Sequence, residues 1–138
     1  LTANQTRAAD ETAIRNVLKG VYEAWNASDA DAFVAEYTED ASAILPGSYR
    51  KSREEIRESM KAGFSTFLKG STTTDKVLNI RFLNDDAAVV VSETGILFPG
   101  ETEVPGDRLV IASWVLVRQD GKWLLAAYQN SPVVMNQG

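Results

Sequence analysis

The apolar period of this chain changes once, at Gly70, and no other feature restricts its fold as strongly. Before that glycine apolar residues recur at helical spacing; after it they alternate, as in strands. Ile14, Val17, Leu18, Val21, Tyr22 and Trp25 follow the spacing 3, 1, 3, 1, 3, one stripe of an α-helix running from Asp10. Asn26 to Asp29 breaks the stripe. Ser28 followed by Asp31 resembles a capping box opening a second helix that carries Phe33, Val34 and Tyr37. "ASAIL" then reads as a brief strand stopped by Pro46-Gly47. Ser52 with Glu55 three residues on is a cleaner capping box. It predicts a third helix whose inward stripe is Ile56, Met60, Phe64 and Phe67, closed by Lys69-Gly70.

Past Gly70 the alternation predicts strands at 72–82, 86–98, 108–118 and 122–130. Asn84-Asp85 and Asp120-Gly121 are hairpin signals, and "PGETEVPGD" is a longer loop between Pro-Gly pairs. Helices first and hairpin-linked strands afterwards give an α+β class, three N-terminal helices on one face of a mainly antiparallel sheet. The 138 residues make one domain, 1–138, large enough to bury about two thirds of its unfolded surface. Leu109, Ile111, Val115 and Val117 alternate with Val110, Ala112, Trp114 and Leu116, so these strands are apolar on both faces. The face without helices is expected to meet a second copy, as a homodimer through the sheet.

Composition removes whole classes of chemistry. There is no cysteine and no histidine. Thiolate nucleophiles, Ser-His and Cys-His relays and the usual zinc ligands are therefore excluded. The net charge of −5 repels nucleic-acid backbones and anionic membranes. Arg50, Lys51, Arg53 and Arg57 come closest to a basic patch, but Glu54, Glu55 and Glu58 are interleaved with them, as on a solvated helix face. No apolar run approaches the roughly 20 residues of a membrane helix, and "LTANQTRAADE" lacks the apolar centre of a signal peptide. A cytoplasmic protein is expected. Glu36, Glu39 and Asp40 read as a solvated helix end rather than a metal site, and no glycine-rich phosphate loop occurs. No cofactor is expected.

"AWNASDADAFVAEYTEDASAILPGSYRKSREEI" (24–56) looks like a family pattern: Trp, a small-Asp-Ala break, a Phe or Leu helix, Tyr/Phe-x-x-Asp-Ala, an apolar strand, then Gly/Ser-Arg-x-x-Ile. With the closing "DGKW" and its aliphatic strand, the chain resembles the nuclear transport factor 2-like superfamily over roughly residues 8–132. That resemblance implies a cone-shaped, cystatin-like roll with a strongly curved sheet around a pocket. "AAYQNSP" is similar to the SnoaL-like polyketide cyclases and to small proteins of this fold from enediyne antibiotic clusters. Relatives often place histidine where this chain has Gln129, which puts histidine-based acid chemistry in doubt.

Candidate site residues follow from placing the strands and helices around such a pocket. Trp25 and Tyr37 are expected in an aromatic lining, although Trp25 would equally serve as core. Met60, Phe64 and Phe67 would line the cavity from the third helix or simply fill the core. Glu93, a carboxylate among apolar residues in "AVVVSETGI", becomes a general base if it turns inward with Val89 and Val91, and is merely solvated if it does not. Asp40 and Asp75 are the alternatives, and Arg81 with Asn79 forms a polar strand face. Trp123, Leu125, Ala127 and Gln129 share a face of the last strand, so Gln129 would polarise a ligand carbonyl. Trp114 is pocket wall or dimer interface, and Asn130 is expected among the ligand contacts. The function expected is binding, and cofactor-free cyclisation, isomerisation or dehydration, of a hydrophobic polyketide or enediyne intermediate. Glu93 would be the base, with Tyr37 and Gln129 holding the enolate. A non-catalytic polyene carrier and a protein-interaction module are the alternatives.

Overall fold

Each α-helix among the described residues begins at a side chain that satisfies one of its free amides. In the computed structural model, which describes residues 2–133, the first helix, α1, spans Ala3–Asn26. Leu1 and residues 134–138, counted in the expected domain, lie outside the described residues. α1 starts well before Asp10 because Thr2 and Gln5 form a reciprocal capping box. The next helix, α2 (Ala30–Val34), is capped by Asp29, whose carboxylate accepts from the Ala32 amide, and not by Ser28, which sits at φ +53° in the turn. α3 (Arg53–Ser65) is capped by Ser52 as the sequence predicts.

Two short-range readings are corrected. Tyr37 is not on the second helix but opens strand β1 (Tyr37–Leu45), and a strand β2 (Ser48–Arg50) follows the Pro46-Gly47 turn, with Gly47 at φ +76°. The third helix stops before Phe67. The Gly63 carbonyl accepts from the amides of both Thr66 and Leu68, so the chain turns there. Leu68 takes the buried place at 7% exposure and Phe67 is thrown out to 73%.

Strands β3 (Thr72–Asn84), β4 (Ala87–Leu97), β5 (Val110–Gln119) and β6 (Lys122–Pro132) complete a six-stranded sheet in the order β2-β1-β6-β5-β4-β3. All neighbours are antiparallel except β1 and β6, which run parallel in the middle. The helices cover one face. Ile14, Leu18 and Val21 of α1 and Ile56, Met60 and Phe64 of α3 are buried with Ala88, Val90, Leu116, Trp123 and Leu125 of the sheet. This is the expected α+β architecture.

The sheet bends where single residues are skipped in its ladders. Val77 pairs with Ser92 and Asn79 with Val91, so Leu78 is left over; Leu116 pairs with Leu125 and Val115 with Ala127, so Ala126 is left over. A bulge of one residue exchanges the two faces of a strand beyond it. On β6 the inward residues are therefore Trp123 and Leu125 before the bulge, then Tyr128 and Asn130 after it. Among the described residues no helix is long and apolar enough to cross a membrane.

Candidate functional site

One row of paired residues runs across the inner sheet face. Val90 pairs with Trp114, Trp114 with Tyr128, Tyr128 with Ala43 and Ala43 with Arg50, from β4 to β2. Side chains in such a row project to one side from neighbouring strands about 4.8 Å apart. Between the large Tyr128 and Arg50 stands only the methyl of Ala43, and the next row carries the small Ala112 beside Asn130. The hollow lies above these small residues. α1 roofs it with Val21, Tyr22 and Trp25, and α3 adds Ile56 and Met60. The cavity volume is about 130 Å³, room for on the order of four waters at about 30 Å³ each.

Its walls are mostly aromatic. Trp25 meets Phe64 edge-on at 5.6 Å and Phe33 at 6.1 Å, and Phe33 stacks on Tyr37 at 5.9 Å. Tyr37 thus faces Phe33 across the helix-to-strand turn, one turn of chain away. Trp114 lies 4.4 Å from Tyr128 and edge-on to Tyr22 at 6.0 Å. Both indoles in the wall have partners: Trp25 Nε1 donates to Ser71 Oγ and Trp114 Nε1 to Ser92 Oγ, each at 3.0 Å.

At the β3–β4 side the polar groups answer one another. The Tyr22 hydroxyl donates to Asp75 Oδ1 at 3.0 Å, and Thr94 Oγ1 donates to the Thr74 carbonyl at 2.7 Å. Burial of the ring and the adjacent carboxylate push the Tyr22 pKa well above the usual phenol value. Asp75 is exposed as a residue, yet partial desolvation of its carboxyl raises its pKa, against the hydrogen bond from Tyr22, which lowers it.

The β1–β2–β6 side is different. Arg50 reaches the cavity with Nη1 3.4 Å from Met60 Sδ, its Nε is buried with no hydrogen-bond partner, and it pairs with no carboxylate among the described residues. Desolvation lowers its pKa from the ordinary guanidinium value, and the Tyr37 and Tyr128 hydroxyls lie close enough to feel its charge. Burial raises the pKa of both phenols, so they stand as donors. Asn130 Nδ2 donates to the Tyr128 hydroxyl at 2.8 Å, while Asn130 Oδ1 is buried without a partner.

The loop between β4 and β5 closes over one end. Arg108 lines the cavity there, pairs with Glu101, donates to the Ile96 carbonyl at 3.0 Å and lies 5.0 Å from the centre of the Phe98 ring. Val104 packs so near Gly95 that a Cβ there would meet its methyl at 2.6 Å, which explains a glycine inside a buried strand.

Of the residues expected at the site, Trp25, Tyr37, Met60, Trp114 and Asn130 line this cavity. Phe64 is buried one layer behind, against Trp25. Three expectations are corrected. Glu93 lies with Val89 and Val91 on the opposite face of β4 from the lining residue Thr94, paired across to Lys76. Gln129 is exposed because the Ala126 bulge turns Tyr128 and Asn130 inward in its place. Phe67 is exposed beyond the end of α3. Trp114 is pocket wall.

Tyr22, Tyr128, Arg50, Thr94 and Arg108 line the cavity without having been foreseen there. The signal for Arg50 was present in its two-residue phase with Ser48 on a strand, had β2 been recognised. Among the described residues no group of three or more acids gathers as metal ligands would.

Known structures share this architecture. A domain of unknown function with a cystatin-like fold from Nostoc punctiforme is 29% identical, with a TM-score of 0.85 over 92% of this chain and 79% of that one. A nuclear transport factor 2-like protein of unknown function from Shewanella oneidensis is 22% identical, with a TM-score of 0.76 over 88% and 98%. Hexachlorocyclohexane dehydrochlorinase LinA-type3 from Novosphingobium barchaimii is 12% identical, with a TM-score of 0.77 over 97% and 93%. Among curated proteins no sequence matches. The family model of the SnoaL-like domain matches residues 14–135, and the chain belongs to that family.

Proposed function

We propose that the chain binds a hydrophobic small molecule in this cavity and converts it without a cofactor, by cyclisation, isomerisation or dehydration. The observation that carries this reading is an aromatic hollow whose unsatisfied polar atoms gather at one end, around Arg50, Tyr37, Tyr128 and Asn130. Flat apolar bodies fill such a hollow, and donors aimed at one end suit an oxygen that becomes negative during reaction. With Glu93 outside, Asp75 is the carboxylate positioned to accept a proton, through Tyr22. Polyketide and enediyne intermediates have the required shape, and the likeness of "AAYQNSP" to that group supports them. The dehydrochlorinase of the same fold is a precedent for elimination on an apolar substrate.

A second reading has its own observation. The chain has no imidazole, and among the described residues no carboxylate lines the cavity. The chain would then shield a reactive polyene without converting it. Incubation with aromatic polyketide intermediates, followed by mass spectrometry, separates the two: the first expects a product of equal mass or one short of water, diminished in Asp75→Asn. Binding with unchanged ligand supports the carrier, and absence of binding overturns both.

The outer sheet face, with half-buried Val89, Val91, Val115 and Val117, is proposed as the contact of a homodimer. Sedimentation at micromolar concentration should give twice the chain mass.

A further inference from the structure

Among the described residues Arg50 is the one cationic group lining the cavity that has no anion beside it. Arg108 also lines it but is already taken by Glu101 and the Ile96 carbonyl. A half-buried guanidinium whose Nε is itself buried without a partner is unfavourable until an anion and its lone pairs arrive. Every other group at that end that can donate points the same way. The Tyr37 hydroxyl makes no hydrogen bond among the described residues, and the Tyr128 hydroxyl accepts from Asn130, which leaves its own proton to give. One atom there has the opposite need: Asn130 Oδ1 is a buried acceptor without a donor. The protein as a whole carries −5, so its surface repels anions and any preference for them is made locally, at this end.

We infer that the ligand of this cavity is an acid: a flat apolar body bearing an anionic oxygen, carboxylate or enolate, seated on Arg50 above Ala43, with a hydroxyl beside it donating to Asn130. The inference rests on the reading of the cavity as a ligand site and narrows it from apolar molecules in general to apolar anions. The row Arg50–Ala43–Tyr128 sets the geometry. Its outer members stand two strands apart, about 10 Å between backbones, and the methyl between them leaves the approach to the guanidinium open from above. Trp114 and Tyr128, their rings tilted 59° to one another, then form two sides of the cleft in which the body lies. A guanidinium takes both oxygens of a carboxylate in a forked pair, whereas an enolate offers one.

Titration of tryptophan fluorescence tests this, since Trp25 and Trp114 are in the wall. The probes are 2-naphthoate, its neutral isostere 2-naphthamide, 3-hydroxy-2-naphthoate and 2-hydroxy-1,4-naphthoquinone, which is an enolate at neutral pH. In the unaltered protein 2-naphthoate should bind about tenfold or more tighter than the amide, and the 3-hydroxy acid tighter still. Arg50→Met should remove the preference for the acid, weakening the amide far less than the acid, and Arg50→Lys should restore part of it. A carboxylate site prefers naphthoate to the quinone and an enolate site the reverse; either supports the inference. Equal binding of acid and amide by the unaltered protein overturns it and spares the cavity reading. Failure of all four probes to bind overturns both. The comparison of acid with amide needs no variant, so a misfolded Arg50→Met protein would not rescue the idea.

Discussion

Both ends of the cavity carry a phenol among other polar groups, and they differ in whether those polar atoms have found one another. At the β3–β4 end Tyr22 gives its proton to Asp75, Trp114 gives its own to Ser92 and Thr94 is bonded to backbone. At the β1–β2–β6 end Arg50 and Asn130 retain buried atoms with no partner, and the Tyr37 hydroxyl makes no hydrogen bond among the described residues. Leaving a buried donor or acceptor open costs about 1–3 kcal/mol, so the fold gives up stability at one end and not at the other. The closed end acts as wall; the open end is where a ligand replaces missing partners.

The severest way to break this contrast is to remove the residue both ends share. Trp114 touches Tyr22 on one side and Tyr128 on the other at 3% exposure. Trp114→Ala should cost about 3–5 kcal/mol in denaturant unfolding and abolish the tryptophan response to ligand. Next, Ala43→Leu fills the gap between Arg50 and Tyr128. Naphthoate affinity should fall by about a hundredfold, while stability changes by no more than about 1–3 kcal/mol. Binding that survives this change would place the ligand elsewhere.

A pair of single-atom deletions sharpens the comparison. Tyr22→Phe, at the closed end, should destabilise by about 1 kcal/mol because Asp75 loses a donor. Tyr37→Phe, at the open end, should leave stability nearly unchanged and weaken the acid instead. Reversal of the two outcomes would mean that the ends have been assigned the wrong way round.

Asp75 gives a smaller, pH-dependent effect. Its folded pKa is raised by desolvation, so the fold prefers the protonated carboxyl. The stability this contributes is fully present below the ordinary carboxylate value and is lost as pH rises through the raised one. Thermal unfolding of the unaltered protein should therefore decline relative to Asp75→Asn across that window. Least of all should be Glu93→Gln, on the far sheet face, with ligand affinity and turnover unchanged in the same assays.

The sequence was most legible where one face alone is apolar. The stripe from Ile14 to Trp25 leaves one way to lay α1 on a sheet, and Ser52 with Glu55 marks the start of α3 by satisfying named amides. It was least legible in β4 and β6, where both faces are apolar and alternation cannot say which one looks inward. Glu93 and Gln129 were misplaced for that reason, in the second case through the single skipped residue at Ala126. Arg50 was read as part of a solvated basic run because β2 is three residues long and carries too little pattern to be seen.

Local chemistry alone determined that this chain makes helices and then hairpins, where α3 begins, and that thiol and imidazole chemistry lie outside its reach. Those are properties of neighbours along the chain. The choice of inward face, the partners of each indole and phenol, and the solitary guanidinium over Ala43 were decided by tertiary structure. Each depends on strand register, where a displacement of one residue exchanges the two faces, and register is set by contacts between residues far apart in sequence.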